Sequence, residues 1–449
     1  MIRWTVARAT TAAAAVVGLV ALPGGGTAHA SPPAFHSGDG LTVVSATQAD
    51  ARTWKLVVST AAVGAKLRVD VLLPAGYDTS TTSYPVLYLF HGTSGGADDW
   101  LNSGNAEAAT AGYPMIVVMP DAGINGNGGS WFTNWVDQST KLGAANWETF
   151  HIDQLVPWVD GNLRTVATRD GRAIAGLSQG GFGAFSYAAR HPDMFSVAGS
   201  FSGAPDIASN PVVQAGAGAI IEGTAAGLDQ VEPEAMFGDP VLDRINWLGH
   251  NPATLVTNLA DTTLDLWSGD GVPGALDTPS VQIVPDVLIE GAAYTSSLSF
   301  TQQARNARVA YTSDFYGSGT HSWPYWTRDF AQFLPGLADA FDHPRPAPSV
   351  ISYRSVDKTW TQWGWTVTNT RIPTQAFSGL VNASSAGFTV TSPCRTTVTT
   401  PPSYLPGSTH SLTASGGSVP HILVADANGR LTVAVTPALL TSSVAVRIS

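Results

Sequence analysis

The hydrophobic positions of this chain change their period along its length. Residues 41–46, 54–59 and 66–73 alternate apolar and polar side chains, which predicts antiparallel strands with one buried face. Later runs are short and largely apolar, as in strands that a parallel sheet buries on both faces. These later strand-like runs are residues 85–90, 115–119, 172–175, 196–201, 264–267 and 308–312.

Segments with helical periodicity separate the later strands. Residues 148–163, 181–190 and 325–341 carry this pattern. A strand, a loop and a helix in repetition predict an open α/β sheet with a mostly parallel centre. The ligand site of such a sheet lies beyond the carboxyl ends of its strands.

The pattern changes again at the proline-rich residues 343–348, which cannot continue a helix and favour an extended linker. We predict an α/β catalytic domain over residues 31–342 and a small all-β module over residues 349–449. Asn428-Gly429 in the module gives a hairpin signal. We expect the module to act as a spacer or to bind a cell-envelope polymer. Its predicted strands are residues 364–369, 387–391 and 422–435.

The first 30 residues have the features of a secretory signal. Arg3 and Arg8 precede an apolar run, and Ala28-His29-Ala30 offers small residues for cleavage. The run is too short to span a bilayer, and no later segment has about eighteen uninterrupted apolar residues. We predict a secreted, extracellular protein, free or associated with the cell envelope, whose mature form has no transmembrane helix.

The net charge limits the classes of molecule that the protein is expected to bind. The net charge is −11, although residues 349–449 and the signal segment are both basic, so the middle of the chain is strongly acidic. This charge repels nucleic acid and favours neutral esters or glycans.

Cys394 is the single cysteine and is predicted to be buried. No metal-ligand spacing appears, no cofactor is implied, and the glycine-rich residues 123–129 are interpreted as a surface loop.

Gly176-Leu177-Ser178-Gln179-Gly180 lies between a predicted strand and a predicted helix. A serine in such a sharp turn projects its hydroxyl from the top of the sheet, so Ser178 is the predicted nucleophile. Its base should follow it in the chain, and His321 lies in a glycine-bearing loop before the last helix. Glu290 and Asp270 are nearly equal candidates for the acid, since Asp270 follows a predicted strand directly.

The run Phe90-His91-Gly92-Thr93 ends another buried strand. The backbone N–H groups of Thr93 and Gln179 are the predicted donors to an oxyanion, and side-chain identity should matter little there. His91 is interpreted as a residue that organises this loop.

These motifs resemble the secreted mycolyltransferases of mycobacteria, the fibronectin-binding antigen family of the esterase D-like α/β-hydrolases. The resemblance also includes Trp147-Glu148-Thr149-Phe150, the run from Leu288 to Phe300, and Gly319-Thr320-His321-Ser322-Trp323. It implies the α/β-hydrolase fold, favours Glu290 over Asp270, and assigns Trp323 to the substrate side. The family's Leu-Asp-Gly-Leu-Arg is replaced here by Phe90-His91-Gly92-Thr93-Ser94. In that family the Asp and Arg help to hold trehalose, so their absence argues against trehalose as the acceptor. Residues 91–100 look more like related carbohydrate and feruloyl esterases.

The sequence therefore predicts a serine enzyme that transfers the acyl group of a lipid or glycolipid ester to a hydroxyl acceptor or to water. One alternative is a carboxylesterase or carbohydrate esterase that uses water only. Another is a non-catalytic envelope or matrix binding protein on a hydrolase scaffold. In that case tryptophans would stack on sugars, although core packing is their more common role. The tryptophans concerned are Trp131, Trp135, Trp147 and Trp158.

Overall fold

The computed structural model describes residues 32–124, 128–278, 283–371, 375–439 and 441–449. The predicted signal segment lies outside them. Within the described ranges the chain forms a nine-stranded sheet, in the order β1-β2-β3-β5-β4-β6-β7-β8-β9, and two smaller antiparallel sheets. The strands of the large sheet are β1 (Thr42–Gln48), β2 (Thr53–Ser59), β3 (Lys66–Leu72), β4 (Val86–Phe90), β5 (Ile116–Pro120), β6 (Arg172–Leu177), β7 (Val197–Phe201), β8 (Thr263–Ser268) and β9 (Thr312–Phe315).

The large sheet is antiparallel from β1 to β5 and parallel from β5 through β4 to β9. Side chains of its central strands alternate between two cores, as the strand period requires. In β4, Tyr88 and Phe90 point into the core under the α4 face, while Leu87 and Leu89 point into the opposite core. The mostly parallel α/β prediction is confirmed. The helices are α1 (Asp99–Asn102), α2 (Ala106–Ala109), α3 (Val156–Asn162), α4 (Gln179–Arg190), α5 (Pro211–Gly223), α6 (Arg244–His250), α7 (Ile283–Ala307) and α8 (Trp323–Asp342).

Two parts of this region differ from the sequence prediction. The predicted strand at 308–312 begins only at Thr312, because α7 runs on to Ala307 and is closed by Val309 N–H donating to Ala304 O. The helix predicted at 148–163 starts with a π-helical segment, Thr149–Leu155, before α3.

The C-terminal residues form a six-stranded and a five-stranded sheet packed around one core. The hairpin predicted at Asn428-Gly429 is wrong: this tight turn joins β18 to β19, and those strands lie in different sheets. Cys394 is half-buried in a loop and is not a core residue. The strands are β10 (Ile351–Ser355), β11 (Thr359–Gln362), β12 (Trp365–Asn369), β13 (Ser378–Ser384), β14 (Gly387–Thr391), β15 (Thr396–Thr399), β16 (Thr409–Ser415), β17 (Gly417–Ser418), β18 (Ile422–Val424), β19 (Thr432–Pro437) and β20 (Ser443–Ile448).

Buried polar contacts join this β-module, residues 349–449, to the α/β region. Arg190 at the end of α4 bonds Glu148 at 2.8 Å and Asp357 of the module at 3.2 Å. The Arg190 carbonyl accepts hydrogen bonds from the Tyr353 hydroxyl and the Gln362 amide. The module is therefore fastened at the amino-end side of the sheet, away from Ser178.

Candidate active site

Ser178 sits in the turn between β6 and α4 with φ 54° and ψ −122°, a strained conformation for a residue with a side chain. The two flanking glycines are required by close approach. A Cβ on Gly176 would lie 2.5 Å from the Gly180 backbone, and a Cβ on Gly180 would lie 2.5 Å from the His91 carbonyl oxygen. The serine turn is therefore packed directly on the end of β4.

The structure brings Ser178, His321 and Glu290 together. The Ser178 hydroxyl is 2.8 Å from His321 Nε2, and His321 Nδ1 is 2.7 Å from Glu290 Oε2. If Nδ1–H donates to the carboxylate, Nε2 is left to accept the serine proton. The edge of the Trp326 ring system packs against the imidazole at a centroid distance of 4.9 Å, which restricts how the imidazole tilts.

Glu290 comes from α7 and is fully buried. Its second oxygen, Oε1, accepts hydrogen bonds from Gly269 N–H at 2.7 Å and from the Ser202 hydroxyl at 2.8 Å, and Ser268 is 3.0 Å away. These contacts fix the carboxylate at the ends of β7 and β8. Sequence reasoning did not find Ser202, Ser268 or Gly269, and only the positive φ of Ser202 marks its special position in the structure.

Asp270, the alternative acid, is not brought to His321. Its Oδ1 accepts Val272 N–H at 2.8 Å, the contact of an ordinary turn aspartate.

Thr93 follows β4, and Gln179 is the first residue of α4. The N–H of a first helical residue has no acceptor within its helix, so that of Gln179 is available to a ligand. The side chains of the two residues are also linked, since Gln179 Nε2–H donates to Thr93 Oγ1 at 2.9 Å. Gln179 Oε1 in turn accepts Trp131 N–H at 3.3 Å. The expectation that side-chain identity matters little here is therefore not supported by the contacts.

His91 holds the loop that contains Thr93. Its Nδ1 lies 2.7 Å from Gly92 O, and Ala122 N–H donates to its Nε2 at 2.8 Å, so the tautomer with hydrogen on Nδ1 satisfies both contacts. Burial lowers the pKa of His91, which keeps the ring neutral as these bonds require. This geometry agrees with the loop-organising role read from the sequence.

The end of the glycine-rich run also belongs to the site. Ser94 N–H donates to Gly128 O at 2.7 Å, and Gly129 N–H donates to Asp229 at 3.2 Å. Burial raises the pKa of Asp229 to about 6. Residues 128–129 are thus a support of the Thr93 loop, whereas residues 125–127 lie outside the described chain.

Ser178 and His321 border two cavities. An inner cavity of about 290 Å³ lies between α5 and α7 and is mostly apolar. An outer, more open cleft of about 950 Å³ adjoins it and shares Ile220 and Ile289 with it. Trp323, assigned to the substrate side by resemblance, lines the outer cleft and packs edge-on against Trp100 and Trp326. Apolar side chains of the inner cavity include Val213, Ala217, Ile220, Ile289 and Ala293.

The four tryptophans of the binding-protein alternative, Trp131, Trp135, Trp147 and Trp158, are buried in the core. Within the described ranges no cluster of His, Cys, Asp and Glu side chains has the geometry to hold a metal ion. No helix in this part of the chain is long and apolar enough to cross a bilayer.

The mostly parallel sheet and a serine at its carboxyl edge define an α/β-hydrolase. The family model described as "Putative esterase" matches residues 60–337, and the chain belongs to this esterase family.

Several relatives of this chain are mycobacterial proteins. The chain is 48% identical over 172 residues to Esterase Rv1288 of Mycobacterium tuberculosis, a match that covers 37% of this chain and spans 35% of that protein's length. It is 34% identical to the MPT51/MPB51 antigen of M. tuberculosis, over 54% of this chain and 74% of the antigen. The diacylglycerol acyltransferase/mycolyltransferase Ag85B of M. leprae is 30% identical over 50% of this chain and 65% of its own length. The crystal structure of M. tuberculosis MPT51 (FbpC1) superposes with a TM-score of 0.53 at 29% identity, covering 65% of this chain and all of that one.

Proposed function

We propose that the protein is a serine-dependent acyl-transfer enzyme that acts on neutral carboxylic esters through an acyl-enzyme. One observation carries this proposal: Ser178, His321 and the buried Glu290 form an unbroken hydrogen-bonded series beside two cavities. Membership of the esterase family supports the same reaction class.

In the proposed mechanism the Ser178 oxygen attacks the ester carbonyl while His321 Nε2 takes the serine proton. Glu290 stabilises the resulting imidazolium through Nδ1–H. The backbone N–H groups of Thr93 and Gln179 donate to the oxyanion, each contributing about 3 kcal/mol of transition-state stabilisation. His321 then returns the proton to the departing alcohol. Water or a second alcohol, deprotonated by His321, attacks the acyl-enzyme, and His321 gives that proton to the Ser178 oxygen as the acyl group leaves. The proposed chemistry uses only these groups and needs no cofactor.

We assign the acyl group to the inner cavity and the alcohol part to the outer cleft. The inner cavity, at about 290 Å³, is at the low end of the roughly 300–1,000 Å³ of small-ligand sites. A short or medium acyl group fits it better than a long branched lipid chain. An open outer cleft admits water, so hydrolysis is the leading reaction.

A second candidate reaction is transfer to a sugar or lipid hydroxyl. The size of the outer cleft and its Trp323 wall favour it, because an acceptor alcohol has room beside His321. Likeness to a protein named as an acyltransferase points the same way. We further propose that the protein is exported and acts outside the cell or in its envelope, on the basis of the signal-like residues 1–30.

The test is turnover of a short-chain p-nitrophenyl ester by the Ser178→Ala and His321→Ala variants. Each variant should lose about 10⁴-fold or more in kcat and keep the melting temperature of the parent. Activity retained by either variant would refute the proposed roles.

Two measurements separate the alternatives. An active-site phosphonate should label Ser178 of the folded parent in mass spectrometry, and an unlabelled folded protein would favour the non-catalytic binding scaffold. Product analysis with added sugars and glycerol distinguishes the two reactions, because free acid alone indicates an esterase and new esters indicate a transferase.

A further inference from the structure

A second polar cavity lies where the β-module meets the α/β region. It measures about 530 Å³, and we call it the junction cleft. Arg172 at the start of β6 lines it, whereas Ser178 follows the end of the same strand. At about 3.3 Å per residue the two are roughly 20 Å apart, so the junction cleft is separate from the active site. Its lining includes Asp153, Asp160, Arg172, Asp193, Thr359, Thr361 and Gln362.

The charges of the junction cleft do not favour an anion. Arg172 is paired with Asp160, and Arg190 is paired with Glu148 and Asp357, so both guanidinium groups are already neutralised. His191, which also lines the cleft, contacts Glu148 at 2.7 Å, and Asp193 accepts Trp363 N–H at 2.8 Å. Asp153 remains. No donor among the described residues bonds the exposed Asp153 carboxylate, which leaves it available as a hydrogen-bond acceptor.

Gln362 provides an independent sign of an incomplete site. Its side chain is 4% exposed, and its amide N–H donates to the Arg190 carbonyl at 2.9 Å. Its Oε1 has no donor in the part of the chain that the structure describes. A buried acceptor without a partner costs free energy. Gln362 Oε1 is shut off from solvent in this conformation, so a rotation of the amide would have to turn it towards the cleft before a ligand hydroxyl could relieve that cost.

A second polar surface starts at Thr361, whose exposed side chain points to the opposite face of β11 from Gln362, and crosses the five-stranded sheet. Register places Thr361, Thr366, Thr399 and Thr432 side by side on four adjacent strands. Adjacent strands are about 4.8 Å apart, so these hydroxyl groups form a row about 14 Å long that begins in the junction cleft. Cross-strand threonine pairs also stabilise a sheet, and the row alone would indicate nothing more.

We propose that the junction cleft binds a neutral glycan. Acceptors such as Asp153 and Gln362 Oε1 suit sugar hydroxyl groups, and Val156, Pro157 and Met194 offer an apolar wall for the sugar C–H face. A longer glycan would extend along the threonine row. The β-module then anchors the protein on a polysaccharide while the active site, about 20 Å away, remains free. This inference is independent of the proposed chemistry at Ser178.

The test measures binding of trehalose, xylotetraose and arabinotetraose by NMR saturation transfer and calorimetry. The full chain with Ser178→Ala is used, so that no ester reaction interferes. Binding of at least one of these neutral glycans should reach saturation as its concentration is raised. Thr361→Trp, which places an aromatic ring in the junction cleft at an exposed strand position, should weaken its binding about tenfold or more.

Thr413→Trp is the matched control, because Thr413 is an exposed strand residue on the other sheet of the module. The dissociation constant of this variant for the neutral glycan should stay within about twofold of the parental value. If Thr361→Trp fails to fold, Asp153→Ala should show the same loss. Absence of saturation by every neutral probe, tighter binding of tetragalacturonate, or unchanged affinity in a folded Thr361→Trp variant would each overturn the assignment.

Discussion

Glu290 and Glu148 are both buried glutamates that accept several hydrogen bonds, but their partners differ. Burial alone would raise the pKa of Glu148, yet Arg190 and His191 outweigh it and hold that pKa well below its usual range. Glu148 therefore belongs to a static ion pair that joins the module to the α/β region. Glu290 contacts neutral donors and one histidine whose other nitrogen touches Ser178. Glu148 also contacts a histidine, but its stronger partner Arg190 stays charged, and no contact among the described residues links the His191 ring to a serine hydroxyl. A buried carboxylate can assist proton transfer when its histidine partner also reaches the group that loses the proton, as His321 reaches Ser178.

The largest expected effect is a loss of kcat that distinguishes Glu290 from Asp270 as the acid. Glu290→Gln should lower kcat on a p-nitrophenyl ester by about 10³–10⁴-fold, because the amide cannot stabilise the imidazolium. Asp270→Asn changes only a turn contact and should cost less than about threefold. Steady-state kinetics of the two variants decide the matter, and the reverse order would transfer the acid role to Asp270.

The second prediction breaks the other network. Glu148→Gln leaves the buried Arg190 charge poorly compensated and should reduce the free energy of unfolding by about 3 kcal/mol. The folded variant should keep the parental kcat, because Glu148 is remote from Ser178. Urea denaturation gives the first quantity and ester turnover the second. Asp357→Asn is the milder comparison, since the Asp357 side chain is 41% exposed. A large loss of kcat in folded Glu148→Gln would contradict the division between the two networks.

A third, smaller effect concerns the side-chain link between the proposed oxyanion donors. Gln179→Leu removes the bonds to Thr93 and Trp131 but keeps the backbone N–H, so kcat should fall about tenfold with little change in KM. Thr93→Val should act in the same direction. If both variants keep the parental kcat, the link has no positioning role.

The smallest prediction concerns pH. Burial raises the pKa of Asp329 in α8 to about 7, and its Oδ2 has no partner among the described residues. The unfolded chain gives up this proton near pH 4, so the folded state binds more protons between about pH 4 and 7. Stability therefore falls as pH rises through that window. Asp329→Asn lacks this loss, and its stability relative to the parent should improve from pH 5 to pH 8 in urea denaturation. Parallel behaviour of parent and variant would contradict this, with the exposed Asp261→Asn as control.

Much of the α/β region follows from local pattern. The central parallel strands are predicted because their burial leaves continuous apolar runs, and the first three strands because their side chains alternate. Ser178 and His321 are predicted because the glycine turn and chain order are local signals. Glu290 is different. The helix that carries it buries Ser296, Ser297 and Thr301 through packing and hydrogen bonds, so no apolar stripe marks it. Without the family resemblance, the position of Asp270 directly after a predicted strand makes it as good a candidate for the acid as Glu290.

The remaining errors have tertiary causes. Asn428-Gly429 does form a tight turn, but the flanking strands join separate sheets because each completes a different face of the module core. Gly128 and Gly129 support the Thr93 loop, and Gly129 is held by Asp229, which lies about 100 residues further along the chain. Sequence patterns indicate local conformation and burial. They do not show which distant segments come together, and these contacts depend on that.

The arrangement of two cavities that share one serine has a practical consequence for inhibitor chemistry. A phosphonate on Ser178 would present two substituents in different directions, one towards the apolar walls of α5 and α7 and one towards Trp323. The two spaces also share Ile220 and Ile289 as wall residues, so the substituents can be optimised separately only beyond that shared wall. Such a two-armed reagent would distinguish this protein from serine hydrolases that have a single pocket.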